Sequence, residues 1–378
     1  MKSVMSEAVG EVHPVLSCSR RCLNRAIRNA LNRIDCRLAA LQAPALAQHY
    51  SGEAPEPDAV WPGLLWLSYE ATNNPKYSKA AVPLLEALGE RLRKKEEIVN
   101  LGAVTTLSCV AAYRLSGDTR ARQWGLAAAD DLCARFQQKV GCIAAGNGPG
   151  TAQDRIQLNI EYLMSLPLLY WASEVSGERR YHKIAYRHAR QTALHLVRED
   201  LTVAHSCWMD IRTGLPVAEI GAAISSKTVR PWDPACAIYG FTLSYIYTRD
   251  WNFLALAAKL ADSWLSLLPE QGIWPDFIAP EAGDGSCAIS ATALAVCGLL
   301  ELSKHMPVID EAKRSYEGSA LAVLHVLIEQ YAASAKNADG LLNYSLAEGE
   351  TAREHTAWGD YFYLEALLRV TTDWGLYW

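Results

Sequence analysis

The nine residues SEVSGERRY, 173–181, end one apolar segment and begin the next: Ser176 stands fourth, Gly177 supplies a turn, and a new helical pattern starts behind Glu178. The same layout returns in YEATNNPKY (69–77), YRLSGDTRA (113–121) and YIYTRDWNF (245–253), each with Ser or Thr at the fourth place. One corner reused at spacings of tens of residues marks stacked helical hairpins. Ala- and Leu-rich segments with 3.6-residue periodicity recur over 78–95, 101–116, 122–138, 157–175, 181–198, 234–249, 252–268, 288–305, 311–334 and 357–371, and strand signals are scarce. About 12 helices fit into this length at ordinary helix and loop sizes. A closed double ring of six hairpins is more economical than an open solenoid, whose ends need polar caps.

Composition narrows the partners. Half of the 378 residues are hydrophobic and the net charge is −5, so a nucleic-acid partner, which needs concentrated Lys and Arg, is not expected. The one basic run, SRRCLNRAIRNALNRIDCR (19–37), has Leu23, Ile27, Leu31 and Ile34 as the apolar stripe of a helix with a solvated face. No apolar run approaches the roughly 20 residues of a membrane span, and residues 1–16 lack a signal-peptide core, which predicts a cytoplasmic protein. The ten cysteines form no C-x-x-C pair and read as buried free thiols, so no metal centre is expected. No cofactor motif is present, and a monomer or a homodimer fits equally well.

Three long interruptions, 144–155, 206–234 and 274–286, are rich in Gly, Pro, Trp and Asp. Long loops between packed helices usually bind something, so the active end should be where these converge. Within QLNIEYLMSLPLLYWASE (157–174), read as helix, Leu158, Glu161, Ser165 and Leu168 share one face. A carboxylate among apolar neighbours needs a partner or has a raised pKa. His205, Trp61 and Trp232 lie beside Gly/Pro-rich turns, which suits a carbohydrate pocket of indoles and carboxylates.

VWPGLLWLSYEAT (60–72), LGAVTTLSCVAAYRLSGD (101–118), MSLPLLYWASEVSG (164–177), AIYGFTLSYIYT (237–248), GLLELSK (298–304) and WGDYFYLEALLR (358–369) together resemble the unsaturated glucuronyl hydrolases, glycoside hydrolase family 88. The resemblance runs from about residue 55 to the C-terminus and implies an all-α (α/α)6 barrel. It makes 55–378 the catalytic barrel and 1–54 an N-terminal helical extension packing on it, expected to supply a first helix closing the ring. It also implies a reaction in which a carboxyl protonates C4 of a C4=C5 enol ether and water adds at C5. The hemiketal then opens and releases the neighbouring sugar. The family's acid/base Asp falls on Glu161, one methylene longer. Its site histidine, before a D-x-x-TG loop, falls on His205, and a sugar-stacking Trp on Trp61. Its His-Asp pair before Leu-Gly is replaced by Val99 and Asn100, and Asn100 cannot be an anion. Its Trp-Ala-Arg-Gly-Gln-Ala-Trp stretch is matched by RPWDPAC (230–236), which makes Arg230, Trp232, Asp233 and Cys236 substrate-binding candidates.

Each candidate also has a structural reading. Asn100 can be a helix cap, His205 a loop histidine bonded to backbone, Trp61 and Trp232 plain packing, and Glu161 an ion-pair partner of Arg155 or Arg230. Asp360 reads as a helix-start residue, and Asp233 as a second carboxylate where Asn100 offers none. Three functions follow: a cofactor-free hydrolase of unsaturated uronides; a repurposed barrel carrying out isomerisation, dehydration or cyclisation of a biosynthetic intermediate by acid catalysis; or a silent sugar-binding relative. Val99, Asn100 and Cys236 make a less charged pocket and favour the second; a carboxyl kept at the acid position argues against the third.

Overall fold

The computed structural model describes residues 19–40, 60–145, 154–220, 230–269, 272–273, 286–333, 340–343 and 350–378. Much of the three long interruptions named above, including 274–285, lies outside them. Twelve helices run through the described residues when 101–116 is taken as one. They are α1 (Arg20–Ala40), α2 (Trp61–Thr72), α3 (Pro75–Lys94), α4 (101–116, with a π-helical turn at Thr106–Val110), α5 (Thr119–Ala134), α6 (Leu166–Ser176), α7 (Arg179–Leu196), α8 (Trp232–Thr248), α9 (Trp251–Ser266), α10 (Ser286–His305), α11 (Glu311–Val326) and α12 (Glu350–Thr371).

The even-numbered helices are the inner ring. Every residue of α8 from Trp232 to Tyr245 is buried, as is every residue of α2 from Trp61 to Ser68. Odd-numbered helices bury one stripe, as α7 does with Tyr181, Ala185, His188, Ala189, Thr192 and Leu196. Here α1 lies against α12 and α2. It buries Leu23, Ala26, Ala30 and Ile34, with the expected Ile27 and Leu31 only partly covered.

The four corners are built alike. Each helix stops on a left-handed residue, Asn73, Gly117, Gly177 or Arg249, with φ of 53°, 72°, 76° and 57°. Its N–H returns to the carbonyl four residues earlier, which satisfies a helix-end acceptor. The fourth-place hydroxyls of Thr72, Ser116, Ser176 and Thr248 donate to the carbonyls of Ser68, Ala112, Ala172 and Ser244. Asn74, Asp118 and Asp250 then cap the next helix. These tight corners join inner to outer helices. The long connections all run from outer to inner, so they gather at the N-terminal ends of the inner helices.

The structure corrects several expectations. Residues 157–175 are not one helix: Arg155–Asn159 is the strand β3, Ile160–Ser165 a 3-10 turn, and α6 starts only before Pro167. The strand forms because β4 (Ser206–Asp210) pairs with it antiparallel, and β5 (Pro216–Ile220) pairs with β4. A second small pair is β1 (Phe136–Gln137) with β2 (Cys142–Ile143). Asp360 is not at a helix start: α12 begins at Glu350, and the buried Asp360 carboxylate accepts the Leu342 backbone N–H at 3.0 Å. Of the eight cysteines in the described residues all are free, but Cys36 is exposed and Cys22 and Cys133 are only half-buried. No helix among the described residues is long and apolar enough to cross a membrane.

Candidate active site

The outer-to-inner connections place Trp61, Asn100, Glu161, Arg230, Trp232 and Asp233 at or just before the start of an inner helix. The 3-10 turn that carries Glu161 is wedged between two of these helices. A methyl group on Gly102 of α4 would sit 2.4 Å from Ser165 Cβ, and one on Gly240 of α8 2.4 Å from Leu163 Cβ. Only glycine allows the turn so close, and this fixes where Glu161 can be.

Asn159, the last residue of β3, organises the turn. Its Oδ1 accepts the Glu161 N–H at 2.8 Å, and its Nδ2 faces His205 Nε2 at 3.4 Å. The Ile160 N–H donates to the His205 carbonyl at 2.9 Å, so strand pairing sets His205 beside the turn. The other ring nitrogen, Nδ1, meets Asp233 Oδ1 at 2.9 Å. The Asp233 side chain is 3% exposed and that of His205 25%, a buried carboxylate behind a half-open imidazole. Asp233 lies in the first turn of α8, where the helix dipole favours negative charge.

Burial is the main influence on Glu161 and raises its pKa; Asp233 raises it further, while His205, Arg230 and the indole N–H of Trp232 act the other way. For His205, burial is the largest single influence and favours the neutral ring, but the Asp233 hydrogen bond with the charges of Asp233 and Glu161 outweighs it together, and the pKa is raised; Arg230 opposes them. Glu161, His205, Arg230, Trp232 and Asp233 thus form one electrostatic cluster. The charge that acts on Glu161 is Arg230; Arg155 is exposed on β3.

Asn100, Trp61 and Cys236 are the remaining candidates. Asn100 precedes α4 in the left-handed conformation (φ 50°), and its side chain makes no capping bond, against the cap reading. Trp61 is 3% exposed with the Arg37 guanidinium 4.5 Å from its ring, a packed cation–π pair. Cys236 lies one turn beyond Trp232 on α8, 1% exposed. Asn159 escaped sequence reading, although an Asn two residues ahead of Glu161 is a turn-capping signal. His188 escaped it too. Its Nδ1 accepts the Ile143 N–H at 3.0 Å, its ring lies 5.8 Å from that of Tyr162, next to Glu161, and burial pulls its pKa down to about 3.

The unsaturated chondroitin disaccharide hydrolase of Streptococcus pneumoniae is 35% identical over 332 residues, which are 85% of this chain and 83% of that one. The chain belongs to the unsaturated glucuronyl hydrolase family. No family model matches the sequence. The crystal structure of unsaturated glucuronyl hydrolase from Streptococcus agalactiae superposes over 100% of both chains, with a TM-score of 0.85 and 29% identity. A mutant of that enzyme complexed with dGlcA-GalNAc6S superposes with a TM-score of 0.76 and 28% identity, over 100% of this chain and 99% of that one. The fold of the unsaturated glucuronyl hydrolases, the (α/α)6 barrel, is the fold of this chain.

Proposed function

We propose that the protein hydrates the C4=C5 enol ether of an unsaturated uronide disaccharide and so releases the adjoining sugar. The observation that carries this is Glu161: a carboxyl with a raised pKa, held beside an Arg, a His and an indole at the mouth of the barrel. A carboxyl whose protonated form is favoured by its surroundings is what protonation of C4 requires. Arg230 supplies a cation for the uronate, and the converging helix N-termini add positive potential for an anionic sugar. The relative from S. pneumoniae is named for unsaturated chondroitin disaccharides, and the complexed S. agalactiae enzyme holds dGlcA-GalNAc6S; substrates of that class are the first to try.

In this reading the site differs from the family's pattern at Asn100, Glu161 and Cys236 yet remains competent. Trp232 lines the sugar subsite beside Glu161, and Trp61 and Asn100 belong to the same end of the barrel. Residues 1–54 are an extension whose helix α1 takes the outer place beside α12 and α2. Free thiols at all eight described cysteines fit a cytoplasmic setting.

The test is loss of the enol-ether absorbance when purified protein meets unsaturated disaccharides from several polysaccharide lyases. The expected result is steady decay with the wild type and a loss of at least about a hundredfold with Glu161→Gln. A folded wild type that leaves every such disaccharide intact contradicts the assignment.

A further inference from the structure

Hydration needs a proton given to C4 and a proton taken from water. Asn100 cannot carry negative charge and so cannot take that proton, and beside Glu161 the structure offers a second group suited to the task. We propose that His205, held by Asp233, takes the proton from the attacking water, while Glu161 serves as the acid alone. This rests on the hydrolase reading and divides its chemistry between two residues.

The geometry specifies the state of the ring. Asn159 Oδ1 is committed to the Glu161 N–H at 2.8 Å, so the amide must turn its NH2 toward His205 Nε2, 3.4 Å away. A protonated Nε2 would set donor against donor, so Nε2 bears the lone pair. Nδ1 then carries the hydrogen and donates to Asp233 at 2.9 Å. A buried carboxylate that fixes the tautomer, with a more open imidazole in front of it, is the arrangement that makes histidine a general base. Asp233 is 2% exposed and acts only through the ring; it is a positioning residue.

The step balances without any further reactant. The C4=C5 electron pair takes the Glu161 proton to form C4–H, leaving a cation at C5 shared with the ring oxygen. Water displaces the long 3.4 Å Asn159 contact at His205 Nε2, bonds to C5 and gives one proton to that nitrogen. The imidazolium is stabilised by Asp233, and its proton returns through solvent to the Glu161 carboxylate. The groups acting on the ring are Asp233 from α8, Glu161 from the 3-10 turn and Arg230 before α8.

The experiment uses the full chain with Asp233→Asn, His205→Gln and the double variant, measuring kcat, KM and the rate–pH profile on an unsaturated disaccharide, with thermal melts to confirm folding. The expected result for Asp233→Asn is a kcat loss of about a hundredfold or more with KM within about threefold. Its acidic limb moves to lower pH, because the Asp233 charge that helps hold a proton on His205 is gone. In the double variant the losses do not add. A folded Asp233→Asn variant that keeps its acidic limb and loses under about fivefold in kcat overturns the proposal while leaving the hydrolase reading intact. A wild type inert on all substrates overturns the hydrolase reading and the base role together. NMR titration of the His205 imidazole separates the two: a lower pKa in Asp233→Asn is expected, and an unchanged one removes the dyad itself.

Discussion

At the scale of single residues, the raised pKa of Glu161 is also a statement about stability. A carboxyl whose folded pKa lies above its unfolded value binds more protons in the native state between the two, so it destabilises the fold as pH rises through that window. Glu161→Gln removes that cost while abolishing the proton donor. We expect it to raise stability at pH 7 and to confer less gain near pH 4, where the carboxyl is largely protonated in both states. Denaturant melts at the two pH values check this. Glu161 was visible in the sequence as a carboxyl among apolar neighbours and His205 as a polar residue beside a Gly/Pro-rich turn, the resemblance gave both a role, and Asp233 was suspected as a carboxylate beside Trp232. The contact between Asp233 and His205 could not be read, because it spans the β4–β5 excursion. The role of Asn159 depends on a strand that ends there, which periodicity could not show.

At the scale of elements, the repeated corner is the part of the fold most legible in sequence, because it rests on local chemistry: a hydroxyl returning to its own helix, a left-handed stop and a cap. Two corners stop on glycine, with nothing within 4 Å of the position a Cβ would take at Gly117 or Gly177. Their cost of substitution is therefore conformational alone. Gly177→Ala should destabilise by about 1–2 kcal/mol, whereas Arg249→Gly, which relieves a left-handed side-chain residue at φ 57°, should stabilise by up to about 1 kcal/mol; melting temperatures decide both. The helix α2 was legible only through the corner that ends it and through the resemblance. Residues 61–68 are buried on every side and carry no polar stripe, so 61–72 shows no helical periodicity. Strand β3 was misread as helix because its apolar residues run on into those of α6, and only pairing with β4 distinguishes the two.

At the scale of the whole molecule, the barrel has two unlike ends. Toward the C-terminal ends of the inner helices the core is closed by a buried network in which Arg369 joins Glu301, Glu365 and Tyr239, while the Trp378 indole donates to Glu365 at 2.9 Å. Glu70 receives Trp374 and Tyr377 there as well. Charges so buried are tolerable only because each is paired, and breaking such a pair costs about 3–5 kcal/mol. That end is tied together by side chains. The opposite end, with its long connections and the Glu161–His205–Asp233 cluster, is left for chemistry. The account's central claim is that Glu161 delivers a proton to carbon, and the most direct measurement is the reaction of an unsaturated uronide disaccharide in heavy water followed by NMR. The account predicts one deuteron at C4 of the uronic acid product for each sugar released, with neither seen in Glu161→Gln. Sugar released without deuterium at C4, or at an undiminished rate from the variant, would contradict it.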